Sequence, residues 1–279
     1  MIRKDFTFVI TTFRSNSVID ECLKDMPKDI RKIIVENSND HNLKKRLENN
    51  YDNTECFLMS DNLGYGKANN FGIAKSNTDY IFIINPDTKI TDVKFTKIVS
   101  FLQGKDFAIA APQIVEENKV YQQNKSGHQT KKVEHVPGMA MILNKKRFDN
   151  NFFDENFFLY LEEIDLCKRM INTGQNILEL NIQLNHLGNQ SHGGYDFEME
   201  KSRNWHWMWS KFYFYKKHHN YFYSFFKTLP NFLSSILKYL IYILLRDRKK
   251  SSQYKMRFLG LLSSYMLCKS YYRPYDKKH

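Results

Sequence analysis

Four cysteines, at 22, 56, 167 and 268, are all this 279-residue chain has, and none forms a CxxC pair. That spacing excludes the usual zinc-binding frameworks and a disulfide-stapled fold, so reduced thiols are expected. Internal repeats and low-complexity blocks are absent, which excludes solenoids and disordered tracts. The opening MIRKDFTFVITTF has too short an apolar core for a secretory signal and reads as a first strand. A cytoplasmic chain is therefore expected. No clean run of about 20 apolar residues occurs: the best, Phe232–Leu245, is shorter and holds Lys238.

Acidic residues are also missing from one end. Residues 201–279 hold 17 Lys and Arg against Asp247 and Asp276 alone, a charge of +15 within a total of +12. The first 200 residues are thus slightly acidic. The same tail carries half of the aromatic side chains and all three tryptophans. Such a shift marks a second functional region, and divides the chain at 1–200 and 201–279.

Strand and helix patterns alternate over residues 1–112. FTFVITTF, KIIVENS, ECFLMSD, DYIFIINPDT and DFAIAAPQIV read as strands. SVIDECLKDM, HNLKKRLENN, GKANNFGIAKS and FTKIVSFLQG read as helices. This order predicts an α/β fold with a mostly parallel central sheet flanked by helices. Residues 115–135 are polar and aperiodic and read as a loop; VPGMAMILNKKRF and ILELNIQLNHLG return to strand character.

Ligands of open α/β sheets sit beyond the carboxyl ends of the strands. Those ends carry Thr11 and Thr12; Glu36, Asn37 and Ser38; Asp61 and Asn62; Asn85, Pro86 and Asp87. Each cluster alone also suits a turn. Gly64, Gly66, Asn69 and Asn70 suggest a backbone approach at a helix start that favours phosphate, although no GxGxxG fingerprint is met. Asp87, at the lip of the most apolar strand, suits a divalent cation. His186 and His192 are candidates for a metal or phosphate contact, against the commoner case of a surface loop histidine.

The stretch ENFFLYLEEIDLCKR, residues 155–169, packs Glu162, Glu163 and Asp165 behind an aromatic run. On a helix over 159–171, Glu163 falls among Tyr160, Leu166, Cys167, Met170 and Ile171, while Glu162, Asp165 and Arg169 take the opposite side, where the two acids either stay solvated or meet Arg169 and the helix N-terminus. A carboxylate on the apolar face is suited to general-base work. Three acids satisfying a helix dipole is the plainer reading.

VITTFRS, VENSND, DNLGYGKANNFGI, IINPDT, VPGMAMILNKKRFDNNFFDENFFLYLEEIDLCKR and NHLGNQSHG, in this order, resemble glycosyltransferase family 2, in particular its bacterial rhamnosyltransferase-like branch. The resemblance implies a GT-A fold, a nucleotide-sugar donor (dTDP- or UDP-linked rather than GDP-linked), Mg²⁺ or Mn²⁺, and inversion at the anomeric carbon. It implies that Thr11, Thr12, Glu36, Asn37, Ser38, Asn62, Gly64, Gly66, Asn69 and Asn85 line the nucleotide pocket. Asp87 and His186 would stand at the metal, and Gly138, Met139 and Asp165 at the sugar and acceptor. Glu163, with Glu162 beside it, stands where the family has its base, usually Asp. The metal motif lacks its first carboxylate, and Glu36 replaces the usual Asp of the second strand.

The tail reads as a pair of interfacial helices, with Trp and Tyr at headgroup depth and cations toward anionic lipid, on the inner face of the cell membrane. Packing on the core or on another protomer is the alternative. A glycan or lipid-linked oligosaccharide acceptor fits this placement, and a homo-oligomer is left open. Two other functions compete: a nucleic-acid binder using the basic aromatic tail, and an inactive sugar-nucleotide-binding scaffold. No nucleic acid is expected on the leading reading.

Overall fold

A computed structural model describes residues 1–116, 119–121, 127–186 and 196–275. The chain divides into two compact units, Met1–Asp154 with Glu163–Gly194, and Glu155–Glu162 with Tyr195–His279.

In the first unit the elements run β1 (Phe6–Thr12), α1 (Ile19–Leu23), β2 (Arg31–Glu36), α2 (His41–Asn50), β3 (Thr54–Leu58), α3 (Tyr65–Lys75), β4 (Tyr80–Ile84), β5 (Thr88–Lys89), α4 (Asp92–Leu102), β6 (Ile109–Glu116), β7 (Lys119–Tyr121), β8 (Thr130–Lys132), β9 (Ala140–Asn144), α5 (Glu162–Asn172) and β10 (Ile177–His186). They build one sheet in the order β3-β2-β1-β4-β9-β6-β10-β5. From β3 to β4 the neighbours are all parallel. Beyond β4 the sheet is mixed: β9 lies antiparallel between β4 and β6, and β10 returns parallel to β6.

Side-chain alternation explains the layering. On β1, Phe8 and Ile10 enter one core with Ile34, Phe82 and Phe95, while Val9 enters the other with Ile33, Val35, Ile81 and Leu143. Strands buried on both faces need apolar residues at every position, which is why FVI and IFII are continuous. Side chains close the helix starts: Asp40 accepts from Leu43 N at 2.9 Å and Thr91 from Lys94 N at 3.3 Å.

Two expectations need correction. The segment 115–135 is not simply a loop: β6 runs on to Glu116, and the three-residue strands β7 and β8 pair with β6 and β10. Strands this short lack a periodic signal of their own, because their partners supply the pairing. The first helix is only five residues long, since the chain turns at Met26 ahead of Pro27.

The second unit is helical: α6 (Phe197–His218), α7 (Tyr221–Leu244) and α8 (Arg248–Tyr265). Asp196, Asn220 and Asp247 cap their first turns. α6 and α8 approach so closely that a Cβ on Gly260 would lie 2.2 Å from the Trp205 carbonyl oxygen. The aromatic segment 155–162 belongs here. Phe157 meets Tyr213 at 4.8 Å between ring centres, Phe158 meets His206 at 4.5 Å, and Ser210 donates to the Leu159 carbonyl at 2.8 Å. The expected pair of interfacial helices is therefore three helices. Trp205 and Trp209 are not at any surface but buried, with Trp209 Nε1 donating to the Cys268 carbonyl. These rings are spent on internal packing rather than on lipid headgroups or bases.

Candidate active site

The strand order reverses at β1: β2 and β3 lie on one side, β4 on the other. A crevice at the carboxyl ends of such strands is the standard ligand position. The residues at this edge form a connected hydrogen-bonded set. Asn37 N donates to the Thr12 carbonyl at 2.9 Å, tying the ends of β1 and β2. The Asn37 side chain then reaches the turn before α3, donating to Gly64 O at 3.4 Å and accepting from Leu63 N at 3.5 Å. Asn62 accepts from Gly64 N at 3.0 Å. Gly64 sits at φ 78°, the left-handed region that favours glycine, and α3 starts there without a side-chain cap. Gly66 and Asn69 are buried in α3, and Thr11 donates to Asn69 Oδ1 at 3.0 Å.

Two residues expected in the pocket are taken up by the fold instead. Thr12 is fully buried, and only its carbonyl serves the strand end. Glu36 is also fully buried. Its carboxylate accepts from Ser38 N at 3.0 Å, from Ser38 Oγ and from Asp40 N at 2.7 Å, so it folds the loop after β2. Ser38, half-buried, accepts from Arg14 N at 3.1 Å.

The antiparallel strand β9 brings Gly138 and Met139 to the end of β4. Asn85 N donates to Met139 O at 2.9 Å, and Asn85 O closes the next turn by accepting from Thr88 N at 3.0 Å. That turn buries Asp87 to 1% exposure. β5 then pairs with β10 so that Thr88 faces His186. As a result His186 Nε2 lies 3.0 Å from Asp87 Oδ1. On its other side His186 Nδ1 lies 3.8 Å from Glu116 Oε1. Burial opposes protonation of His186, but the two carboxylates outweigh it and raise its pKa. His192 lies outside the described residues.

The Asp87–His186 pair suits a divalent cation. Adjacent donors on a six-coordinate ion with bonds of about 2.1 Å stand about 3 Å apart, as these do. One carboxylate and one imidazole leave room for phosphate oxygens and water, and Glu116 is placed to orient the imidazole from behind. Among the described residues no cluster of three or more His, Cys, Asp or Glu is set to hold a metal without such help.

α5 sorts the three acids. The helix starts at Glu162, because Tyr160 and Leu161 take left-handed φ of 71° and 69°. Glu162 and Asp165 are not solvated: they are 4% and 0% exposed. Arg169 explains Asp165. It pairs with Asp165 at 2.9 Å and donates to the carbonyls of Asn151, at 3.1 Å, and Phe152. Of the two expected states, Asp165 thus takes the pairing with Arg169, and the 151–153 loop covers this face. Glu163 is the half-exposed member. It lies beside Gly138, where a Cβ would be 3.5 Å from Glu163 Cβ and Cγ. Tyr65 Oη donates to the Gly138 carbonyl at 2.5 Å, fixing this backbone from the α3 side. Asn70 exchanges two hydrogen bonds with Phe153, at 2.8 and 3.0 Å, and pins the covering loop. Tyr65 and Glu116 were not assigned roles from sequence, and Asn70 was read only as part of a phosphate-favouring helix start, not as the pin of a loop. Tyr65 and Asn70 sit in the DNLGYGKANNFGI motif, which was the signal for them; Glu116 lies in a segment without period.

Residues 7–167 match the family described as glycosyl transferase family 2. The chain belongs to that family. A Haloferax volcanii relative, "Low-salt glycan biosynthesis hexosyltransferase Agl10", is 24% identical over 200 residues. The match covers 61% of this chain and 64% of the relative, so the chain spans less than two thirds of that protein's length. Among solved structures, S. aureus TarS 1-349 aligns at TM-score 0.56 and 14% identity, over 96% of this chain and 93% of that one. TarS 1-349 in complex with UDP-GlcNAc aligns at 0.55 and 12%, with the same coverage. GalNAc-T7 with UDP, GalNAc and Mn²⁺ aligns at 0.54 and 10%, over 82% and 57%. This family 2 glycosyltransferase has a GT-A fold.

Proposed function

We propose that the protein is an inverting transferase that moves a hexosyl or rhamnosyl unit from a UDP- or dTDP-linked donor to a hydroxyl of a cell-surface glycan. The observation that carries this reading is the approach of Asp87 to His186 at the strand edge that also holds Gly138, with Glu163 against it. The solved relatives bound to UDP-GlcNAc, or to UDP with Mn²⁺, support a nucleotide-sugar donor.

Glu163 takes the proton of the acceptor hydroxyl as its oxygen attacks the anomeric carbon. The bond from that carbon to the diphosphate oxygen breaks, and its electron pair leaves with the nucleoside diphosphate. A single displacement inverts the carbon and needs no covalent nucleophile. Asp87 and His186 would hold Mg²⁺ or Mn²⁺, which when bound neutralises charge on the departing diphosphate. The open start of α3 at Gly64 offers N–H groups to the same anion. Thr11, Asn37, Ser38, Asn62 and Asn85 surround the nucleotide. Glycan acceptors of this kind are often carried on lipid, and association of the helical unit with an anionic membrane surface belongs to the reading.

A thermal-shift screen of UDP-, dTDP- and GDP-sugars, with and without Mn²⁺ or Mg²⁺, tests it by mass action. A UDP- or dTDP-sugar should raise the melting temperature, and the metal should add an increment that Asp87→Asn removes. Stabilisation by no sugar nucleotide would overturn the proposal.

A further inference from the structure

Amphipathic helices in globular units turn their apolar face inward. α7 does the reverse. Its buried residues are Ser224, Thr228 and Ser235, small and polar. Ser224 and Ser235 bond back to the carbonyls of Asn220 and Asn231, both at 2.7 Å, and Thr228 meets Tyr265 Oη at 3.0 Å. Asn231, on the same side, accepts from Lys211 at 2.9 Å. Phe225 and Phe232 pack half-buried against Met208, Phe212 and Leu261, but six large apolar residues face out: Phe222 is 72% exposed, Phe226 67%, Leu233 58%, Leu237 60%, Leu240 52% and Leu244 82%. At about 100° per residue these six fall within an arc of about 60°, opposite the serines. They form one stripe along the whole helix.

The charge around the stripe says what covers it. No acid occurs between Tyr221 and Arg246. Lys227 and Lys238, both exposed, stand between the stripe and the serine side, about 80° and 100° beyond the stripe's edge. At its end stand Arg246, Arg248, Lys249 and Lys250, also exposed. A second copy seated there would bring two such basic rims together. An anionic bilayer meets both features, since acyl chains take the leucines and phosphate headgroups take the cations. No described helix is long and apolar enough to cross a membrane, so α7 lies in the interface.

We infer that the outward face of α7, from Phe222 to Leu244, is a docking surface for anionic phospholipid bilayers, with Lys227, Lys238 and the 246–250 cluster seated among the headgroups. This deepens the membrane part of the proposed function and is independent of its sugar chemistry.

Co-sedimentation of the full chain with vesicles of phosphatidylcholine containing 30% phosphatidylglycerol is the test. The expected result is binding at least tenfold stronger than to pure phosphatidylcholine, and weakened by salt. Leu237→Glu combined with Leu240→Glu should lower it at least tenfold while sugar-nucleotide stabilisation is unchanged. Arg248→Gln with Lys249→Gln and Lys250→Gln should remove most of the lipid selectivity. Retained vesicle binding in the leucine variant, or no binding by the native chain, would overturn the inference. So would light scattering that shows a dimer split by the leucine variant without vesicle binding. Loss of sugar-nucleotide stabilisation in the native chain would count against the transferase reading alone.

Discussion

At the scale of single residues, three acids within four positions are sorted by what covers them. Asp165 is fully buried and paired with Arg169, which also carries the 151–153 loop. Asp165→Asn should therefore cost about 2 kcal/mol, the usual loss for a hydrogen bond to a charged group. Chemical denaturation checks the cost, and the affinity for a sugar nucleotide should be unchanged. A large loss of affinity with unchanged stability would restore Asp165 to the substrate site. Sequence periodicity placed Glu162 and Asp165 on one side and Glu163 on another, but an angle on a helix does not say which side another segment will cover. The covering loop is set by Asn70 and Arg169, both distant in sequence from the carbonyls they hold. The approach of Asp87 to His186, and of the 138–139 segment to Asn85, follows from short motifs at strand ends that the sheet pairing brings together. The bonds by which Glu36 holds its own loop were not legible, because a strand-end motif does not say which backbone N–H groups will turn toward it.

Secondary elements show the same division. Apolar runs of β1, β2 and β4 were legible since burial on both faces leaves no choice of residue. β7 and β8 were not, because three residues hold no period and the partner strands make them. In the helical unit the aromatic excess suggested an exposed surface, yet Trp205 and Trp209 form its core around His206. Burial pushes the His206 imidazole down to about 3, against the help of the Tyr272 carbonyl, which it meets at 2.7 Å. The folded unit keeps it neutral, while the unfolded chain protonates it below about 6.5. Stability is thus complete above that pH and falls as the pH drops from about 6.5 toward 3, by up to about 1.4 kcal/mol per unit. All three tryptophans lie in α6, so their fluorescence follows this unit. Urea unfolding read by tryptophan should show a midpoint falling between pH 6.5 and 4.5. His206→Gln should flatten that component, and an equal slope in both proteins would refute the assignment.

For the molecule as a whole, the sequence 155–169 joins the two units. Its aromatic half packs with α6, and its acidic half opens α5 in the GT-A unit. The change of unit falls at Glu162–Glu163, directly after the left-handed pair Tyr160 and Leu161. Backbone held in that region costs of order 1–3 kcal/mol per residue and collects at working sites. It precedes the half-exposed carboxylate on which the proposed chemistry turns. Glu163→Gln keeps the size of this side chain and removes its basicity. The most direct measurement is the rate of nucleoside diphosphate release from the preferred sugar nucleotide by the native protein and by E163Q, with donor affinity measured alongside. The account predicts a fall of at least 10²-fold in rate, the low end of a general-base contribution, with affinity preserved. Native turnover by E163Q would contradict it.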